Sequence, residues 1–583
     1  MFTQLEDLCR RLVHEHYGPL VEKVAAVLIE DGRLALGRII ARTGMSALSV
    51  RQALAVLIQH CLATHAQARD GARQTTYYSI NLRNILRLQR AGLYLALVEE
   101  RMGQFGLLVF NEVLLNGCMS ISSVRDAVGY KQLGAAEKKL FAAAVAKLVR
   151  ERFITAITPT DTVTKIDRTM QAEAQELEKL ASVPMPKELA EIRRRIAAQD
   201  EEEYMSTDVV GMKRQAVGSG IGGAPKVVLG PDGQAIILND VFGSSMGLPS
   251  QQQPGEADKD LVDDKQCFRV YHDRLDVFLR NKRIINYFAT KYNDAAGVVL
   301  KTMLRLTETH TKTCRDKVSE LVAAPQIIQH LPPDADLGGA VDMSGDRFFK
   351  DAAATSDDSS AARRATQGKM AYALLDVLRR DVSGVVNKVD ERGAGQYRIN
   401  FERAAMMLRD ECLDTLVMNK FGSPHARIVR ALRDKQKLDE KMMSELAMMP
   451  MAQCRERLHQ LTLAGYVDMV ELPRTADRNP SRTAYLWYVN PQKQAGAALR
   501  GALQGIINVM DRLDQETGMR ASLLAKSQRK DIVAGLAQLS QNERTALNAI
   551  NEYKQRIDVA TIRLDSMVLL LHDIVPGSTA LAL

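Results

Sequence analysis

Titratable and nucleophilic side chains are plentiful in this 583-residue chain, but none falls into a spacing that catalysis requires. There is no GxxxxGK[ST] loop to cradle phosphates, no HExxH to hold zinc and no GxSxG nucleophile turn. His14 and His16 are two apart in a helical stretch and so point to different faces, which makes them a solvated pair. The cysteines (Cys9, Cys61, Cys118, Cys267, Cys314, Cys412 and Cys454) stand singly, with no CxxC. They read as reduced thiols of an intracellular protein. The glycines of GSGIGG sit in an unpatterned stretch rather than between a strand and a helix, which argues against a nucleotide site. DEEEY at 200–204 reads as solvated linker, and the pairs Met406-Met407 and Met448-Met449 as core filler. The reading calls for no catalytic residue, metal or cofactor. Positive charge is what could act: Lys139, Lys147 and Arg150 in one segment and Arg474, Arg478 and Arg482 in another are candidates for meeting a phosphate backbone.

Those cations need a scaffold, and the apolar periodicity supplies one. Near the N-terminus a helix over Pro19–Glu30 ends at Asp31-Gly32, and a second carries Leu36, Ile39 and Ile40. A third, capped by Ser46 or Ser49, places Val50, Ala53, Leu54, Leu57 and Ile58 on one face. CLATHAQ and TTYYSI, separated by Arg69-Asp70-Gly71, read as a hairpin. Three helices and a hairpin make a winged helix. The pattern returns in FGLLVFNEVLLNG, SSVRDAV, 136–151 and RFITAIT. It returns again in PHARIVRALRDKQ, EKMMSELAMM and Met451–Ala464, with ELPRTADRNPSRTAYLWYVN as wing. A further copy is assigned to 279–292, 296–308 and 369–381, split by an acidic insertion.

In a winged helix the outward face of the third helix decides what is met. In the first copy that face is Leu48, Gln52, Ala55, Val56 and Gln59, uncharged and suited to a protein partner. In the last copy Met451, Cys454, Leu458 and Leu461 form the core stripe, and Gln453, Glu456 and Gln460 face outward. The second copy places Lys139, Ala143, Ala146, Lys147 and Arg150 outward, and either DNA or plain water would suit that face. The wing arginines lie near Glu471 and Asp477, so an internally salt-bridged loop is the simpler account of them.

The fold class is therefore mainly α with small β wings. Winged helices are expected over 1–82, 83–165, 264–400 (with an acidic insertion at 332–364) and 401–492, with a helical connector at 166–199 and a disordered linker at 200–263. Over 493–576 the residues Leu499, Leu503, Ile506, Met510 and Leu513, then Ile550, Ile557, Leu564, Val568 and Leu571, keep a heptad register. An antiparallel coiled coil offering docking positions follows, with ordinary bundle helices as the alternative. The net charge of +8 is diffuse over so long a chain, and the 46% apolar and 5% aromatic content suits helix packing. No apolar run is long enough to span a bilayer, and the N-terminus lacks a signal-peptide core.

The wing pattern PRTADxNPSRxxYLxxVN resembles the last wing of the tandem winged-helix subunit found in the initiation heterotrimer of eukaryotic RNA polymerase III. LCRRLVHEHYGPLVEKVAAVLIEDG, SVRQALAVLIQHCLATH, FNEVLLNGCMS and LVMNKFGSPHARIVRAL are similar to that family too, in order along the chain. The resemblance implies a non-catalytic nuclear subunit with four winged helices and a coiled coil, related to the large subunit of TFIIE. It further implies that the heterotrimer, made with two smaller subunits, sits on the polymerase clamp, with roles in promoter opening and in recruiting TFIIIB, and contact with promoter DNA. The competing expectation is a free winged-helix regulator that binds DNA by itself.

Overall fold

The computed structural model describes residues 2–70, 73–132, 134–178, 186–205, 227–229, 235–237, 262, 264, 266–332, 337, 360–391, 395–473, 483–529, 532 and 539–574. The chain forms two compact units, one drawn from residues 1–53, 80–90 and 273–583, the other from 54–79 and 91–272.

Among the described residues one order of elements occurs four times: helix, two-residue strand, short helix, longer helix, two wing strands. The first repeat runs Pro19–Asp31, Leu34–Ala35, Leu36–Thr43, Ala47–Gln59, Ala63–Asp70 and Arg73–Ile80. The fourth runs Ser423–Lys435, Lys437–Leu438, Glu440–Leu446, Met451–Leu463, Asp468–Pro473 and Thr483–Tyr488. In the second, third and fourth repeats the final strand lies between the other two of its sheet. The third helix ends alike in three repeats, with a residue in the left-handed region: Cys61 (φ 56°), Arg152 (φ 60°) and Gly465 (φ 77°). After each, the next amide reaches back to a carbonyl five residues earlier (Leu62 to Leu57, Phe153 to Leu148, Tyr466 to Leu461). This is the Schellman stop. A non-glycine residue holds it at a cost of about 1–2 kcal/mol, which the packed wing must offset.

In the unit that holds the second repeat, the helix Ala91–Asn116 is broken at Gly103 (φ 73°). The module itself begins after that break and continues through Met119–Ser120, Ile121–Ala127, Ala135–Arg150 and Ile154–Ala156. Phe110, Val113, Phe141, Val145, Leu148 and Phe153 fill its core. Its central strand is Cys267–Val270, which the sequence places with the third repeat. Ile154 pairs with Val270, and Met119 with Phe268. The long 200–263 segment is thus inserted within the second wing. Most of that segment lies outside the described residues. The helix Pro186–Met205 runs into it, and Val227–Leu229 pairs antiparallel with Ala235–Ile237 inside it.

In the other unit, the third repeat is built differently from expectation. Its first helix is Asp294–Thr307, and its second is the six-residue Ala324–Gln329, too short to leave a periodic signature. His272–Lys291 precedes the module. Val299, Leu300, Met303, Ile327, Leu374, Leu378 and Ile399 pack into one core. Residues 338–359 of the acidic insertion lie outside the described residues.

The tail is a helical hairpin of Pro491–Met519 and Gln541–Val568. Leu564 Cδ1 lies 3.3 Å from where a Cβ on Gly505 would sit, Arg512 donates to Tyr553 (3.4 Å), and Lys526 meets Glu543 (2.6 Å). Residue numbers rise on one helix as they fall on the other, so the pair is antiparallel. The N-terminal helix Phe2–Tyr17 buries Leu5, Leu8 and Leu12 and lies parallel to the first tail helix: Gln4 bonds Gln504 (3.2 Å), and Arg11 pairs with Asp511.

An ionic cluster closes this unit. Arg90 donates to Asp565 (2.9 Å) and Asp573 (2.7 Å), Arg87 to Asp276 (2.8 Å), and Arg83 to Asp573 (3.2 Å). Arg90, Asp276 and Asp573 are each 0% exposed. Burial opposes ionisation of Asp573, yet Arg90, His572 and Arg83 hold its carboxyl well below the usual range. Burial pushes Asp565 up, against Arg90.

Arg90→Met would leave these carboxylates buried without their main counter-charge. It is expected to lower the unfolding free energy by about 3–5 kcal/mol, read from denaturant titration. At the start of the second tail helix, Ser540 and Glu543 form a capping box, and hydrogen bonds from Lys526 and Ser540 hold Glu543 at about 2. A carboxyl depressed on folding stabilises at pH above its unfolded value, and that contribution is lost as pH falls toward 2. Protection factors of the amides at 542–544 should drop between pH 5 and 2, and in Glu543→Gln, which keeps an acceptor for the capping box, they should be flat across that range.

Candidate docking and nucleic-acid faces

The third helix of the first repeat presents the expected face. Leu48 is 65% exposed, and Gln52, Ala55 and Gln59 are exposed. Val50, Ala53, Leu54 and Leu57 are buried, while Ile58, expected in the core, is half-buried. Val56 is also half-buried, and Gln59 Nε2 donates to the carbonyl of Asn116 (2.8 Å), so the open part of the face centres on Leu48, Gln52 and Ala55. An exposed leucine flanked by an amide and a methyl group suits a protein surface rather than phosphate.

On the second repeat, Lys139, Ala143, Lys147 and Arg150 are exposed along one side of Ala135–Arg150. Ala146, expected beside them, is 2% exposed and belongs to the core, since its position on the helical wheel falls next to Val149. Lys147 Nζ donates to the carbonyl of Arg101 (2.8 Å), near the break at Gly103, so part of its charge serves the fold. Leu140, 57% exposed, adjoins Lys139 and was not singled out from the sequence. The face is basic with an apolar member.

On the fourth repeat, Gln453, Glu456 and Gln460 point outward as expected. Arg455 is engaged by Glu440 (2.5 Å), and Gln460 bonds His425 (2.8 Å). Met451, assigned to the core stripe, is 45% exposed, being the first residue of its helix. The methionine pairs divide. Met449 is 9% exposed while Met448, in the left-handed region, is 78% exposed, and Met406 is exposed while Met407 packs on the core. Met442 and Leu446, one turn apart, are also exposed. Their i, i+4 spacing was the signal for this apolar side. Arg474, Arg478 and Arg482 lie outside the described residues. The strands that carry that loop pair from Asp468–Tyr488 to Pro473–Thr483, and Trp487 packs edge-on to His459.

The tail positions are placed differently from expectation. Leu499, Leu503, Ile506, Ile557 and Leu571 are buried, and Met510, Leu513 and Leu564 are half-buried. They close the hairpin on itself and on its own unit, so they are not free docking positions. Among the described residues of the tail, the large apolar side chains that are exposed are Val559, Ile562 and Met519.

Among the described residues no group of three or more His, Cys, Asp or Glu is arranged to hold a metal ion, and no helix is long and apolar enough to cross a membrane. One described cleft, about 860 Å³, is open; among its lining residues Asp414 pairs with Arg430 (3.1 Å) and Arg433 (3.0 Å), and burial pushes the Glu411 carboxyl up.

Comparison with known proteins places these modules. The model of the RNA polymerase III subunit RPC82 helix-turn-helix domain matches residues 7–68. That of RNA polymerase III subunit RPC82 matches 143–408, and that of the POLR3C C-terminal winged-helix domain matches 413–489. DNA-directed RNA polymerase III subunit RPC3 of Bos taurus is 26% identical over 601 residues, covering 99% of both chains. The Homo sapiens protein of that name is 25% identical over 593 residues, 98% of both. The Danio rerio protein is 25% identical over 564 residues, 95% of this chain and 92% of the relative. With the models falling in chain order on the first, the second to third and the fourth repeats, the chain belongs to the RPC82/RPC3 family of RNA polymerase III subunits.

Proposed function

We propose that this chain is a non-catalytic assembly and initiation subunit of nuclear RNA polymerase III. In this reading it joins two smaller subunits in a peripheral heterotrimer on the clamp of the largest subunit. It helps to open promoter DNA and supports TFIIIB-dependent initiation at genes for small untranslated RNAs. The observation that carries the reading is the character of the third-helix faces. On the first repeat the outward side is uncharged and apolar, on the fourth it is neutral to acidic, and on the second Lys139, Lys147 and Arg150 are exposed along one side. A free sequence-specific regulator needs cationic recognition helices to gain affinity from phosphate. This set favours protein docking with one surface bordering DNA.

Recovery of the tagged chain from nuclear extract should bring polymerase III subunits with it; recovery of the chain alone, bound tightly to one duplex, would support the free regulator instead. Leu48→Glu places a charge on the open face without touching the core. It should weaken partner recovery about 10–100-fold, the worth of one buried leucine, with an unchanged unfolding midpoint. Val56→Glu is the poorer probe because Val56 is half-buried. Lys139→Ala with Arg150→Ala should lower the slope of log affinity against log salt for promoter DNA by about 2 in the assembled complex. An unchanged slope would remove the second repeat from the DNA path.

A further inference from the structure

We infer that Cys61 and Cys118 form a dithiol that hydroperoxides oxidise to an intrachain disulfide. Their sulfurs lie 3.9 Å apart although the residues are 57 positions apart in the chain. Cys61 occupies the left-handed stop after Ala47–Gln59, and Cys118 precedes the strand Met119–Ser120. The two loops are held together by backbone. Gly117 (φ 77°) approaches so closely that a Cβ there would sit 2.5 Å from the carbonyl oxygen of Gln59, and Gln59 Nε2 donates to Asn116 O (2.8 Å). A pair of sulfurs fixed by such packing has little freedom to separate.

The surroundings favour attack by one sulfur. The hydrogen bond from the Cys118 thiol, and then the Arg269 guanidinium, bring Cys61 down to about 7 in spite of burial, while Asp161, which Arg269 pairs at 2.9 Å, opposes them. The same hydrogen bond pushes Cys118 up. Thiolate character and partial exposure are what peroxide reactivity follows. Both cysteines of this pair are partly exposed, whereas Cys9 and Cys314 are buried and pushed up by that burial.

The chemistry balances with hydrogen peroxide as the oxidant. The Cys61 thiolate attacks one peroxide oxygen; the S–O bond forms, the O–O bond breaks, and the hydroxide released takes a proton to become water. The Cys118 sulfur then attacks the Cys61 sulfenic acid; the S–S bond forms, the S–O bond breaks, and a second water leaves. Two thiols lose two electrons and two protons, and one peroxide is reduced to two waters. The product staples the end of the first repeat's third helix to the first strand of the second repeat.

The test uses the reduced full-length chain, treated with equimolar hydrogen peroxide, alkylated and analysed by peptide mass spectrometry. The expected result is one linked Cys61–Cys118 peptide pair, reversed by dithiothreitol, absent from Cys61→Gly and Cys118→Ser and retained in Cys267→Ser. Glycine suits the left-handed stop, as Gly465 does in the fourth repeat, so Cys61→Gly removes the thiol without straining the turn. Both thiols still open to alkylation, Cys61 carried on to sulfinic acid, or Cys118 linked to Cys267 would each overturn the proposal.

Discussion

Three guanidiniums and three carboxylates, all but Arg83 withdrawn from water, hold distant parts of one unit in register. Arg83, Arg87 and Arg90 come from the segment after the first wing, Asp276 from the helix that precedes the third repeat, and Asp565 and Asp573 from the end of the tail. Isolated, any of these charges would be very costly to bury; together they neutralise one another. Apolar residues of similar volume often match a buried ionic cluster in stability but make no directional bonds that select a register. Directional fork-to-carboxylate bonds accept one. The tail hairpin is thereby seated by its last turns, where Asp565 interrupts an otherwise apolar stripe.

Around that anchor the chain repeats one small module and varies what lies within it. The second wing shows how much variation the module accepts, since a long insertion separates its edge strand Ile154–Ala156 from its central strand Cys267–Val270. Lengthening a loop costs little once its ends are fixed, because closure entropy grows only with the logarithm of length. The ends are fixed by the paired strands and by a turn that recurs at Cys61, Arg152 and Gly465. Where the residue is not glycine, the strained backbone is tolerated because the following wing strand is already committed to its sheet.

The exposed surfaces of these modules carry the functional reading. Leu48 on one repeat, Met442, Leu446 and Met448 on another, and Val559 and Ile562 on the tail are apolar side chains left in water. Soluble proteins leave scattered apolar residues outside, but pairs one turn apart on a helix are what a partner covers. Methionine suits such a surface because its flexible thioether adapts to what it meets. A subunit of a multi-protein polymerase has use for several such surfaces.

The amino-acid sequence by itself determined the modules. Apolar residues at helical spacing, Gly and Pro at element ends, and aromatic strand pairs are local signals, and local physics suffices to place Pro19–Asp31, Ala47–Gln59, Met451–Leu463 and the two tail helices. The neutral face of the first repeat was legible for that reason. Tertiary structure decided what depends on residues far apart in the chain. It gave Cys267–Val270 to the second sheet, made a six-residue helix the second element of the third repeat, and turned Ala146 inward and Met451 outward. It also spent the heptad leucines inside the unit, and brought Cys61 to Cys118 and Arg90 to Asp573. Periodicity says which side of a helix is apolar; only the packed neighbours decide whether that side meets its own chain, another protein or water.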